Sequence, residues 1–216
     1  MTSVAQTIAL SMGETLQSEI SENGTSSLVV CGGSSPLKIF EYLNLIEIDW
    51  QSVEIFLVDD RQVEANSDFS NQKLVKTHLL RNKANKATFF PLSTSLISKN
   101  LIPPKFTIML LGMGIDGHFA SLFPEMLSET VNSFKPNSEF EISATPEILT
   151  TPALGNPKLP RITMNLSLIL NSRRIILLAN GEEKQSLLKL AKEDKTLPIY
   201  YLLKQTHVPI EIESLQ

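Results

Sequence analysis

Three short segments of the 216-residue chain combine residue types that chemistry needs. The run Gly112-Met113-Gly114-Ile115-Asp116-Gly117-His118 puts a carboxylate and an imidazole two residues apart in a flexible backbone. An imidazole takes or gives a proton near neutral pH, and a neighbouring carboxylate fixes its tautomer and strengthens it as a base, so Asp116 and His118 are the candidate pair. In Gly32-Gly33-Ser34-Ser35-Pro36 the glycines let the backbone approach a ligand, and a helix start offers free amides and a positive dipole end to an anion such as phosphate. The plain alternative is a tight turn leading into a helix, with Pro36 in its first turn and Ser34 or Ser35 as its cap. In Asp59-Asp60-Arg61 two acids and an arginine stand where a buried strand emerges. Adjacent acids there cost repulsion and desolvation unless a ligand or cation offsets them. A solvated loop with an internal ion pair is the equal alternative.

The elements that must position these groups follow from hydrophobic spacing. Val4, Ile8, Met12, Leu16 and Ile20 form one helical stripe that stops at Asn23-Gly24. Residues 27–31 read as a buried strand, followed by the glycine loop and a helix with Leu37, Phe40 and Leu43 on one face. Residues 53–58 read as a second strand with a polar ending and a helix from about Ser70 through Leu79. Phe106–Leu111 and Arg174–Ala179 are the third and fourth strands, the last leading through Asn180-Gly181 into a helix with Leu187, Leu188 and Ala191 inward. The stretch from Leu127 to Pro160, rich in polar residues and proline, reads mostly as loop with one strand at Phe140–Ala144. Strands alternating with helices predict an α/β fold, one domain over residues 1–216, with a mostly parallel sheet covered by helices on both faces. In such sheets ligands sit beyond the carboxyl ends of the strands, where all three polar clusters fall.

Composition narrows the function. With 19 Lys+Arg against 23 Asp+Glu and a net charge of -4, the chain lacks the basic surface that phosphate-backbone binding needs, so nucleic acid is not an expected partner. Its apolar runs are far shorter than the ~20 residues of a membrane span, and its first residues lack a secretion signal; a cytoplasmic location is expected. The single cysteine, Cys31, permits no intramolecular disulfide, no spacing suggests a metal site, and no metal is expected. The segment from Gly112 to Gly117 matches Gly-x-Gly-x-x-Gly and follows a strand, but Pro124 and a polar stretch come where the dinucleotide fingerprint needs a helix and a further strand. His78 and His207 sit in an amphipathic helix and in the tail, where structural roles suffice.

Taken together and in order, the three clusters resemble the 6-phosphogluconolactonase family. The likeness runs from Val29–Pro36 through Asp59-Asp60-Arg61-Gln62-Val63 and Ser70-Asn71 to Leu111–Pro124, and on through Arg161-Ile162-Thr163 and Gly181-Glu182-Glu183-Lys184. Asp-Gly-His-Phe-Ala-Ser-Leu-Phe-Pro, residues 116–124, is its most specific piece. The chain departs from the pattern at Asp60, where glutamate is usual, at Ser35, where threonine is usual, and at Met164-Asn165, where another threonine tends to follow.

The resemblance implies a fold like that of sugar-phosphate deaminases and ribose-phosphate isomerases, a modified Rossmann type, and hydrolysis of 6-phospho-D-glucono-1,5-lactone in the oxidative pentose phosphate pathway without metal or organic cofactor. The expected partner is that small phosphorylated lactone, and the expected state a monomer or small homo-oligomer. His118 is then the general base and later the acid, Asp116 its orienting partner, and the amides around Gly112–Gly117 the oxyanion donors. Gly33, Ser34, Arg161 and Lys184 are expected at the phosphate, Arg61 at phosphate or sugar oxygens, and Asp60 in the binding set. Without the resemblance, Lys184 reads as a solvated first-turn residue and Arg161 as half of a surface ion pair. One alternative is a glucosamine-6-phosphate deaminase or isomerase relative; those enzymes carry Asn-Glu before the proline, where this chain has Leu122-Phe123. The other is a noncatalytic sugar-phosphate-binding protein, which would be expected to lack His118 or Asp116.

Overall fold

The computed structural model describes residues 2–127 and 138–215. Its first helix, α1 (Val4–Asn23), begins at Ser3, whose side chain accepts from the Gln6 amide, and ends at Gly24, whose φ of 82° lets its amide close back on Ile20. Ile8, Met12 and Leu16, four residues apart, lie on its buried face. The other helices are α2 (Leu37–Leu43), α3 (Asn71–His78), α4 (Ser95–Ser98), α5 (Leu166–Leu170), α6 (Glu182–Leu190) and α7 (Pro198–Lys204). The strands are β1 (Ser26–Val30), β2 (Val53–Leu57), β3 (Asp59–Arg61), β4 (Thr88–Phe90), β5 (Phe106–Gly112), β6 (Ile148–Leu154), β7 (Leu159–Met164), β8 (Ser172–Leu178) and β9 (Ile210–Glu213).

Six strands form one sheet in the order β4-β2-β1-β5-β8-β9, and every neighbouring pair is parallel. Numbered within the sheet this is 3-2-1-4-5-6, the doubly wound order, so the chain reverses its winding between β1 and β5 and leaves a crevice beyond their carboxyl ends. Both faces are covered, which is why these strands read as continuous apolar runs rather than alternating ones. Leu28, Val30, Ile108 and Leu110 pack towards α1, α2 and α3, while Val29, Met109 and Leu111 pack with Leu168, Ile169, Leu188 and Leu202 from α5, α6 and α7.

The structure differs from the sequence expectation in several places, among them the short helices α4, α5 and α7, which were not expected. Asp59-Asp60-Arg61 is a strand, not a loop: β3 pairs antiparallel with β7, which pairs with β6 in a second, three-stranded sheet. No strand occupies Phe140–Ala144; residues 138–140 form a 3-10 turn and the strands of this region are β6 and β7. Pro152 is accommodated because it sits on edge strand β6, where the register slips between Thr151 and Leu154. Residues 128–137 of the expected loop lie outside the described residues. The edge strands β4 and β9, of three and four residues, are too short to show a period. Finally, the cap position of α2 falls on Pro36, which makes no side-chain cap, rather than on Ser34 or Ser35.

Candidate active site

The crevice at the reversal between β1 and β5 is a cleft of about 250 Å³, lined by Gly33, Ser34, Arg61, His118, Arg161 and Lys184 among others. Larger depressions of about 720 Å³ beside β9 and 490 Å³ along α1 contain none of these groups. Of the eight residues singled out for the site, only Asp116 and Asp60 are not part of the cleft wall, for different reasons.

Asp116 stands behind the histidine. Its Oδ1 lies 2.6 Å from His118 Nδ1 and also accepts from the His118 amide at 3.2 Å. Half-burial alone would push the Asp116 carboxyl up, but the ring hydrogen bond, the ring charge and the amide together hold it below its ordinary value. An ionised carboxylate only accepts, so Nδ1 of His118 donates to it and Nε2 is the ring atom left for proton transfer. Gly114 makes this pairing possible: a Cβ there would fall inside van der Waals contact of both the His118 ring and Asp116 Oδ1. Gly114→Ala is expected to fold but to displace the imidazole, with kcat reduced about 10- to 100-fold; a crystal structure of the variant with the 2.6 Å contact intact would contradict this.

Two of the glycine amides expected as oxyanion donors are taken up within the turn itself. The Gly114 amide donates to the His118 carbonyl at 2.8 Å and the Gly117 amide to the Gly114 carbonyl at 3.2 Å, so both are spent in folding the turn. Nor does a helix follow the Gly-x-Gly-x-x-Gly segment; Phe119 bridges back to Met113 and Leu122 instead. This removes the dipole end a dinucleotide would use.

On the opposite side, Arg61 and Arg161 are direct cross-strand partners in the β3–β7 ladder. Like charges placed so are unfavourable by themselves. Arg161 is 3% exposed, and burial first, then Arg61, push its guanidinium below the ordinary value against the pull of Asp59. Arg61 donates to the Phe69 carbonyl at 2.9 Å and to Asn71 Oδ1 at 3.1 Å, and Arg161 donates to the Pro157 carbonyl at 3.3 Å. The Nε atoms of both arginines are buried without a hydrogen-bond partner. Lys184, in the first turn of α6, and the Gly33-Ser34-Ser35 loop, where Gly33 has φ 78°, complete the wall.

Asp60 does not face this cleft. Its Oδ1 accepts from the Arg61 and Asn71 amides, both at 2.7 Å, and its Oδ2 from the Gln72 amide at 3.0 Å and the Ser70 hydroxyl at 3.4 Å. Burial raises its carboxyl, opposed by these amides. Asp60 therefore anchors the start of α3 to β3. Cys31, on the cleft floor, has its thiol pushed up to about 12, by burial and then by Asp59, which makes it a small neutral group.

The family model for glucosamine-6-phosphate isomerases/6-phosphogluconolactonase matches residues 1–210. The chain belongs to this family. A curated 6-phosphogluconolactonase of Rhizobium meliloti is 31% identical over 225 residues, covering 97% of this chain and 93% of the relative. One of Helicobacter pylori strain 26695 is 33% identical over 198 residues, covering 86% and 82%. Among solved structures, a 6-phosphogluconolactonase from Shewanella baltica is similar with a TM-score of 0.79 at 34% identity, covering 98% of this chain and 92% of its own.

Within this family member, several groups that sequence reasoning gave no role hold the cleft together. Asn71 packs against Gly32 so closely that any Cβ there would overlap its amide, donates to the Asp59 carbonyl at 2.9 Å, and accepts from Arg61. Asp59, 5% exposed, accepts from the Ser121 hydroxyl, while the Ser121 amide donates to Thr163 Oγ1 at 3.2 Å. The dipeptide Ser70-Asn71, part of the family likeness just after the Asp-Asp-Arg segment, is the signal that could have pointed to Asn71. Ser121 and Thr163 carry no such mark, because their partners are 62 and 42 residues away.

Proposed function

We propose that this chain hydrolyses 6-phospho-D-glucono-1,5-lactone to 6-phosphogluconate, a step of the oxidative pentose phosphate pathway. The observation that carries the reading is the presence, in one cleft of about 250 Å³, of an oriented imidazole and two arginines with unsatisfied buried nitrogens. Relatives that are 31–34% identical over most of the chain are named for that activity.

The phosphate is held by Arg61, Arg161 and Lys184 together with the Gly33-Ser34 backbone, charge-assisted contacts that act at short range in an otherwise acidic chain. Nε2 of His118 takes a proton from water as its oxygen bonds to the lactone carbonyl carbon, and Asp116 stabilises the imidazolium through Nδ1. The tetrahedral intermediate then expels the ring oxygen, which receives the proton from Nε2, leaving an open-chain acid. The proton passes through one side chain in both directions, so the scheme calls for no metal or organic cofactor.

Leu122 and Phe123 are both fully buried and apolar, which favours the lactonase over the deaminase reading. Ring opening of an amino sugar uses a carboxylate that this segment does not supply. The test is hydrolysis of freshly prepared 6-phosphogluconolactone, corrected for spontaneous opening, beside glucosamine 6-phosphate. Acid release from the lactone alone is expected; ammonia release from the amino sugar with no lactone turnover would reverse the assignment.

A further inference from the structure

Phe123 contacts both halves of the cleft. Its ring centroid lies 4.6 Å from that of His118, with the planes tilted by 38°. The guanidinium carbon of Arg161 lies 5.1 Å from the same centroid, a cation–π distance. The ring is fully buried and tightly located. Gly155, in the turn joining β6 to β7 with φ 70°, leaves room for it: a Cβ there would stand 2.6 Å from Cε1 and 2.8 Å from Cζ of Phe123, and 3.3 Å from Arg161 Nη2. Just before it, Ala120 turns through a left-handed φ of 49° and the Leu122 amide donates to the Phe119 carbonyl, so the backbone feeding the ring is fixed too.

An imidazole 29% exposed, with one ring hydrogen bond to a carboxylate that is itself 44% exposed, can still rotate about that bond. A guanidinium whose Nε has no partner and whose cross-strand neighbour repels it is likewise poorly fixed by polar contacts alone. A flat, buried, apolar ring touching both limits each of them to one orientation and offers its quadrupole to positive charge on either.

We infer that Phe123 is a positioning residue that sets the base His118 and the phosphate ligand Arg161 in a common geometry. The catalytic half of this inference rests on the lactonase reading; the arginine half does not. A residue that touches both the base and an anion-binding arginine must, when removed, affect turnover and anion affinity together, whereas a residue that merely fills the core affects neither once the protein is folded.

The experiment compares Phe123→Leu with Phe140→Leu. Phe140 is also buried in the core beneath this face of the sheet, but its ring neighbour is Tyr201, at 5.5 Å. For the wild type and each variant, Tm, kcat on 6-phosphogluconolactone and the dissociation constant of inorganic phosphate by titration calorimetry are measured. Phe123→Leu is expected to lower kcat about 10- to 100-fold through loss of alignment. It should also weaken phosphate about 3- to 10-fold through loss of the cation–π contact. Phe140→Leu is expected to lower Tm by a similar amount with kcat and phosphate affinity of the folded fraction unchanged. Phe123→Met, more adaptable in shape, replaces the leucine variant should that one not fold. If Phe123→Leu behaves like Phe140→Leu, losing Tm alone, the inference is overturned. If the wild type itself fails to hydrolyse the lactone, the functional reading falls, and phosphate affinity in the two variants still decides whether Phe123 positions Arg161.

Discussion

His118→Ala is expected to lower kcat for lactone hydrolysis by about 10²- to 10⁴-fold, the range for removal of a positioned general acid–base group. KM should stay near the wild-type value, because the proposed phosphate ligands Arg61, Arg161 and Lys184 lie on β3, β7 and α6, and the histidine supports none of them by a hydrogen bond. The variant should also fold, since the His118 side chain is 29% exposed and its loss leaves no large internal void. This combination, kcat lost and KM kept, identifies an interaction made in the transition state rather than in the bound substrate. The measurement is initial-rate acid release at several lactone concentrations, with the uncatalysed opening subtracted. Near-normal kcat would remove His118 from the role of base; a large rise in KM with kcat intact would place it at the substrate's recognition end instead. Asp116→Asn should give a smaller loss in the same direction: an amide presents both an acceptor and a donor to Nδ1, so the tautomer with a free Nε2 is no longer enforced.

Much of this site was legible because its residues are local in sequence. Asp116 and His118 are two residues apart and touch within one turn; the glycine loop and the Lys184 helix start each follow a strand whose apolar run is unmistakable. The parallel sheet was legible for the same reason, since strands buried on both faces advertise themselves. What escaped was the three-stranded antiparallel sheet. Its β3 consists of Asp59, Asp60 and Arg61, residues that no propensity assigns to a strand, and they are held there by pairing with β7 about a hundred residues later. That missed pairing also hid the direct opposition of Arg61 and Arg161, and with it the reason Asp60 is turned away from the cleft. In an extended strand alternate residues face opposite sides, so Asp59 and Arg61 share the cleft side while Asp60 points to the start of α3. Read as a loop, the three residues carry no such alternation. The role of Phe123 was hidden for the same kind of reason, because both Gly155 and Arg161, which it meets, lie on the hairpin that the prolines disguised.

Arg161→Met is expected to raise KM for the phosphorylated lactone about 10- to 150-fold, the equivalent of the ~1.5–3 kcal/mol of one hydrogen bond to a charged group, while leaving Tm unchanged or higher. The two halves of this expectation have one cause. A base whose folded value is pushed below its ordinary one is disfavoured in its charged form by folding, and for Arg161 burial and Arg61 outweigh Asp59. Methionine keeps an unbranched apolar chain in the buried position, removes the repulsion across the β3–β7 ladder, and removes a buried Nε with no partner. Replacing buried charge by well-packed apolar groups is often neutral or stabilising. On the proposed reading a phosphate group supplies the missing partner of Arg161, so inorganic phosphate should raise wild-type Tm, following RT ln(1 + [L]/Kd) and reaching about 2.7 kcal/mol at a hundredfold excess over Kd. In Arg161→Met the same phosphate concentrations should shift Tm much less, with Arg61 and Lys184 left to bind the anion. Thermal melts across a phosphate series, paired with KM measurements, test both halves. A variant that melts well below the wild type in the absence of phosphate, yet keeps its KM, would show Arg161 to be a structural residue and would leave Arg61 and Lys184 as the phosphate ligands.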